Sequence, residues 1–392
     1  MRNLILLLTL AISAHAQFVG GSHRKIFSAA SGYLHYYVIS TGPSGSTNLS
    51  SFPICGSTIT TAGCSLGTDI SVNLATVAHG GYVQNTVTQT GGNGGTEPAD
   101  AVFGTTSTCS TLIPWETESY NATTGAWVFH FNNGTYHSAG GDLIYLCFDR
   151  ASVTTQQNTG SYAPGAVWND GYFQGVWHVP NGTTLSLLDS TACAHNGTLT
   201  TISGTALVAG AGVIDGCVYE SAAGPVSYSS VPDSTAFNSA NMTVSAWIKT
   251  SDSAYLDSIM ERDSGASRQF QFRMSSADAN FIIFIGGSAY SVSSSVVVND
   301  GNWHHVVGTF NGSTLLVYVD GVQKGTTSVS GSIDTGAGTA LFLDGSQRGN
   351  FTMPGYQDEY RFSSTARSAD WITAEYGNQK ASSTFLTVGS LH

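Results

Sequence analysis

Positive charge is scarce in this chain: 13 Lys and Arg stand against 25 Asp and Glu in 392 residues, for a formal charge of −12. No basic stripe can form to neutralise phosphates, which excludes nucleic acid as a partner and disfavours an anionic membrane surface. Neutral glycans and divalent cations stay compatible with so mildly acidic a surface. Charged residues of both signs are only 10% of the chain, too few for long solvated helices. Beyond the first residues no stretch approaches about 18 uninterrupted apolar residues, so no membrane insertion is expected. The six cysteines contain no CxxC spacing, and no G-x-S-x-G marks a serine nucleophile.

What is present points to strands. Forty-six Gly, 17 Tyr and 18 Phe, with abundant Ser and Thr, are the profile of short strands joined by tight turns. The chain opens on a short basic start, Met1-Arg2-Asn3. An apolar run from Leu4 to Ile12 and a small-x-small site at Ala14-His15-Ala16 follow, the pattern of a signal peptide over 1–16. The product is expected to be secreted, and extracellular or held at a cell surface. About 376 residues remain, more than one hydrophobic core organises, so two domains are expected.

In an exported chain Cys55, Cys64, Cys109, Cys147, Cys193 and Cys217 should form disulfides. Sequence order and the domain split favour Cys55 with Cys64, Cys109 with Cys147, and Cys193 with Cys217. The first four can exchange partners, and a zinc site is the rival reading. Eight N-x-S/T sequons matter only in a glycosylating host.

The clearest strand signals are Trp303 to Phe310 and Thr314 to Val319, separated by Asn311-Gly312 and followed by Asp320-Gly321. This is a meander of tight hairpins. Similar runs occur at Thr243 to Lys249, Phe281 to Ile285, Ala340 to Leu343 and Tyr356 to Phe362, and earlier at Ala126 to Phe131 and Leu143 to Phe148. One helix is expected over Ser368 to Tyr376, capped by Ser368 and stopped by Gly377. A Gly-rich loop spans Thr90 to Thr96, and a polar stretch from Thr154 to Gly165 marks the domain boundary. The fold class is all-β: two β-sandwich domains, 17–165 and 166–392.

Four segments, in order and spacing, carry a resemblance: Met242-Thr-Val-Ser-Ala-Trp-Ile248, Asp300-Gly-Asn-Trp-His-His-Val-Val307, Leu315 to Gly321, and Gly355-Tyr-Gln-Asp-Glu-Tyr-Arg-Phe362. Together they resemble the laminin-G-like jelly roll of the concanavalin A-like superfamily, from about Gly175 to the C-terminus. The first half resembles an extracellular domain of no established activity that often precedes such jelly rolls in bacterial surface proteins. Its matching residues include Ser51-Phe-Pro-Ile54, Trp115-Glu-Thr-Glu-Ser-Tyr120 and Ala166-Val-Trp168. Cys147, Cys193 and Cys217 depart from both patterns and suggest added covalent bracing.

Glycosidases of this superfamily share a Glu-x-Asp-x-x-Glu strand that sets nucleophile and acid on one face, and this chain lacks it. Glu116 and Glu118 are the nearest approximation, while Asp358 and Glu359 should point to opposite faces of a strand. His304 and His305, adjacent in a strand, cannot both reach one ion and are read as structural. Asp358 alternates in phase with Tyr356, Tyr360 and Phe362, the expected buried side. A buried carboxylate needs a partner: backbone donors, an Arg, or a structural calcium shared with Asp189. A sugar site needs exposed rings, for which Tyr255, Tyr290 and Trp115 are the candidates, with Trp247, Trp303 and Trp371 assigned to core.

The resulting expectation is a non-catalytic recognition or adhesion protein whose jelly roll contacts carbohydrate, a surface glycoconjugate or an extracellular protein. The alternatives are a structural component of an extracellular assembly (envelope, filament or particle) and a divergent glycoside hydrolase acting through Glu116 or Glu118.

Overall fold

The computed structural model describes residues 32–60, 63–180, 185–201, 206–221, 227–253, 255–346 and 351–392. The expected leader over 1–16 lies outside the described residues.

In the first half, strands His35–Thr41, Leu143–Phe148 and Val102–Gly104 form one antiparallel sheet. Strands Ile54–Ser57, Trp127–Phe131 and Trp115–Tyr120 form a second. A core of Phe103, Trp115, Trp127, Phe129 and Phe131 holds them together. Gly56 is required beside it, because a Cβ there would stand 2.4 Å from the Phe129 ring. Every residue of Trp127–Phe131 is buried, and so are Trp115 to Glu118. A strand buried throughout has both faces covered, in contrast to the half-wet strand of an isolated sandwich.

The second half is a two-sheet sandwich. One sheet runs Val208–Ala211, Gly216–Glu220, Gly355–Ser363, Met242–Lys249, His304–Phe310, Thr314–Val319, Val322–Ser328. The Phe173–Trp177 strand also pairs with Gly355–Ser363. The facing sheet runs Thr198–Thr201, Ser227–Val231, Leu341–Asp344, Tyr255–Asp263, Arg268–Ser275, Asp278–Ile285, Ser288–Val297. Alternate residues of each sheet, among them Val244, Phe270, Phe281, Val306, Tyr360 and Phe362, fill the space between. The expected hairpins pair as the Asn-Gly and Asp-Gly turns dictate, with Phe310 opposite Leu315 and Val319 opposite Val322.

The helix runs Ala369–Gln379, with the Ser368 side chain accepting from the Trp371 amide. Gly377 does not stop it: buried Asn378 and Gln379 extend it because their side chains find partners beneath. The chain then leaves the jelly roll, and Leu386–Val388 adds to the edge of the first sheet beside His35–Thr41. The last strand of the expected 166–392 unit thus belongs to the first sandwich. Trp371, Ala374, Phe385 and Leu386 accordingly pack into the first core.

Disulfides join Cys55 to Cys64 and Cys109 to Cys147. The third expected bridge is absent: Cys193 is an exposed free thiol and Cys217 a buried one. Cys217 is fixed in the Gly216–Glu220 strand, whereas the Cys193 thiol turns to the Phe173 carbonyl at 3.9 Å.

Candidate functional site: a sheet face open at one end and buried at the other

The outer face of the first jelly-roll sheet carries the polar chemistry, and its rows follow from strand register. At one end Tyr219 lies opposite Tyr356, and Tyr356 opposite Lys249. Direct cross-strand partners project to the same side. The two tyrosine rings stack at 4.6 Å and 28°, and the Lys249 ammonium sits 5.6 Å from the Tyr356 ring centre. The Trp303 ring is 6.1 Å from Tyr356. Tyr219, Tyr356 and Lys249, with Glu220, Ser251 and Pro354, line an open cleft of about 240 Å³. All three side chains of that row are half-buried, as is Trp303.

One row inward the face is closed by the first half. Trp247 packs with Cys55, Cys64, Val128, Val213 and Ile214, and its indole N–H donates to Gln379 Oε1 at 2.7 Å. Asp358, opposite Trp247, accepts from the Val213 and Ile214 amides at 2.8 and 3.3 Å. Burial and the neighbouring Glu359 hold the Asp358 carboxyl well above its usual range, against the pull of those amides.

At Glu359 the strand takes an extra residue: Ser245 pairs with Arg361 and Trp247 with Asp358, so three intervals on one side meet two on the other. Glu359 has φ +53, a left-handed conformation uncommon for a residue with a side chain. Such a bulge re-aims side chains. Asp358 and Glu359 consequently share the outer face, where strict alternation placed them apart. Tyr360 and Phe362 return to the interior, and Tyr356, expected among them, stays outside. Gln357 points inward and donates to buried Asp344 at 2.7 Å.

Past the bulge lies a fully buried cluster drawn from both halves. Glu116 and Glu118 come from Trp115–Tyr120, His130 from Trp127–Phe131, His178 from the turn after Phe173–Trp177, and Glu359 and Arg361 from the jelly roll. His130 Nε2 lies 2.9 Å from Glu118 Oε2, and His178 Nδ1 lies 2.5 Å from Glu359 Oε1 and 3.7 Å from Glu118 Oε2. The two imidazoles stack at 4.3 Å. Arg361 donates to Glu359 at 2.6 Å. Glu116 accepts from the Trp168 indole at 2.7 Å and the Ser190 hydroxyl at 2.6 Å.

Burial, and the facing Glu359, raise the Glu118 carboxyl well above its usual range although His178 opposes the shift. Burial works against a charged His178, yet Glu359, Glu116 and Glu118 hold its imidazole well above the ordinary value. Burial, His178 and Arg361 push His130 well below it. Glu359 is held low by His178 and Arg361 in spite of burial. Alternating shifts of this kind occur where unlike groups share a dry cavity.

The Gly-rich loop closes this cluster from the first half. Gln89 donates to and accepts from the backbone of Thr117, and Asn93 donates to the Glu118 carbonyl. Gly92, at φ +54, lies so close that a Cβ would stand 2.3 Å from Glu116 Oε1. Glu116 and Glu118, at 0% and 2% exposure, are therefore beyond the reach of a sugar chain. That removes the geometric basis for catalysis by these two residues.

The remaining expected residues are scattered. Trp115 is 1% exposed and packs 6.1 Å from Phe103, since its strand is covered on both faces; it offers no ring to a ligand. Tyr290, 38% exposed, stands on the opposite sheet, away from the cleft. The Tyr255 side chain lies outside the described residues. Asp189 and Asp358 do not converge with a third ligating side chain among the described residues. Both Asp189 oxygens are taken by the amides of Val176, Thr191 and His195 and the Thr191 hydroxyl. His304 binds Asp320 and Asp300, whereas His305 binds Glu375, so the two histidines serve separate contacts. Sequence reasoning missed Tyr219 and Lys249 altogether, because the row they form with Tyr356 exists only through pairing of distant strands. Trp303 was assigned to core and lies at the rim.

Residues 223–373 match the profile of the concanavalin A-like lectin/glucanases superfamily and form a concanavalin A-like domain. No curated protein matches the chain. Among solved structures, similarity extends to domain 4 of AbnA, a GH43 extracellular arabinanase from Geobacillus stearothermophilus, in complex with arabinotriose. The identity is 18%, over 51% of this chain and 96% of that one, with a TM-score of 0.43. The binding domain of Paraclostridial Mosquitocidal Protein 1 is 12% identical over 53% of this chain and 52% of its own, with a TM-score of 0.42. The binding domain of botulinum neurotoxin serotype G is 12% identical, over 52% and 50%, with a TM-score of 0.40. This chain spans about half the length of those two toxin domains.

Proposed function

Starting from a chain whose residues 223–373 are a concanavalin A-like domain, we propose that this protein is a non-catalytic extracellular recognition module. It binds neutral carbohydrate at the Tyr219–Tyr356 cleft. The observation that carries this reading is the stacked ring pair, flanked by Trp303 and Lys249 and bordered by Ser251 and Glu220. Sugars lay their C–H faces on aromatic rings while nearby polar groups fix the hydroxyls. A compact cleft at the end of a sheet suits one terminal sugar ring better than the middle of a polymer. The two disulfides fit maturation in an oxidising compartment. No helix among the described residues is long and apolar enough to cross a membrane.

A glycan array followed by titration calorimetry tests the reading. Tyr356→Ala and Trp303→Ala should each weaken binding by about tenfold, roughly the worth of one stacked ring, without moving the melting temperature. A blank array, or binding indifferent to both substitutions, would overturn it.

A further inference from the structure

We propose that Glu118, His130, His178 and Glu359 hold one divalent transition-metal ion that pins the two halves of the protein together. One donor atom from each of the four lies within 4.8 Å of the others, and all four residues are buried. Two imidazole nitrogens and two carboxylate oxygens are the donor set of a closed structural zinc site, with four protein ligands and no open position for water. Ligand atoms about 2.0–2.2 Å from a tetrahedral ion stand roughly 3.3 Å from one another. Three of the six separations are 2.5, 2.9 and 3.7 Å, on either side of that value, and all six are within 4.8 Å. Calcium is disfavoured because it takes oxygen ligands.

The atoms that converge are Glu118 Oε2, His130 Nε2, His178 Nδ1 and Glu359 Oε1. Two carboxylates of the cluster, Glu118 and Glu359, face one guanidinium, Arg361, which also faces Glu375 at 3.5 Å. A dication offsets Glu118 and Glu359 and leaves both imidazoles neutral. Groups suited to support such a site surround it: Arg361 donates to Glu359, and Glu116, held by Trp168 and Ser190, faces the other ring nitrogen of His178, Nε2, at 3.8 Å, beyond hydrogen-bond distance. Since Glu118 and His130 come from the first sandwich and Glu359 from the jelly roll, the ion would act as a cross-link between them.

The test is metal analysis of the full chain, untagged, after unfolding in chelator and refolding with or without Zn²⁺. About one zinc per chain is expected after refolding with the metal, with a melting temperature above that of the metal-free protein. Calcium should not restore it. Refolding with Co²⁺ should give visible absorption bands that Glu118→Gln and Glu359→Gln abolish. Should those variants fail to fold, the wild-type stoichiometry decides alone. No ion retained from Zn²⁺ or Co²⁺, and a melting temperature equal with and without metal, would overturn the proposal and leave a hydrogen-bonded imidazole–carboxylate network.

Discussion

Glu375 Oε1 lies 3.1 Å from His305 Nε2, joining the C-terminal helix to the central strand of the jelly-roll sheet. The same carboxylate accepts from the Ser245 hydroxyl at 3.1 Å and the Trp371 indole at 3.2 Å, and faces Arg361. Ile372 packs beside it on Val307 and Tyr318. The helix is thus bound to the sheet face by one buried, fully engaged carboxylate and an apolar patch.

Acid should loosen this joint. Burial opposes ionisation, but Arg361, His305 and Ser245 lower the Glu375 pKa from 4.5 to about 2. A carboxyl lowered on folding contributes stability above its unfolded pKa, and that contribution disappears as pH falls from about 4.5 to about 2. The full effect is at most about 3 kcal/mol. Denaturant melts of the wild type and Glu375→Gln across this window should converge at the acid end. Parallel curves would show that Glu375 does not titrate with folding.

Gly92→Ala should destabilise the protein by about 1–3 kcal/mol, from the left-handed backbone and the contact with Glu116. Gly134 also has a positive φ, but a Cβ there would meet nothing within 4 Å, so Gly134→Ala supplies the backbone cost alone. The difference between the two unfolding free energies measures the crowding at Glu116. Equal losses would mean that the loop moves aside.

Thiol counting checks the redox pattern. Alkylation of the native protein should modify one cysteine, exposed Cys193, and alkylation after unfolding without reductant should modify two. Burial pushes the Cys217 thiol far above its usual range, with Asp358 adding to the shift, so Cys217 stays unreactive until the fold opens. Intact mass spectrometry showing no alkylation in either state would mean that the two cysteines are bridged after all.

Hairpin turns, the Ser368 cap and the alternating apolar runs were legible in the sequence because each depends on residues a few positions apart. The phase of Gly355–Ser363 was not. Strict alternation assigned Asp358 inward and Glu359 outward, and one bulge reversed the relation between Asp358 and Tyr360. Nothing in the local pattern marks it, since the residue in the left-handed conformation is Glu and not Gly.

The amino-acid sequence by itself determined an all-β chain, a property set by composition and short-range periodicity, and four segments of its second half carried the resemblance to a concanavalin A-like domain. Tertiary structure alone decided that Glu118, His130, His178 and Glu359 meet, that Tyr219, Tyr356 and Lys249 form one row, and that the final strand returns to the first sheet. Strand order and register bring together residues more than a hundred positions apart, and burial then converts ordinary carboxylates and imidazoles into a coupled cluster. Neither effect leaves a trace in any window of adjacent residues.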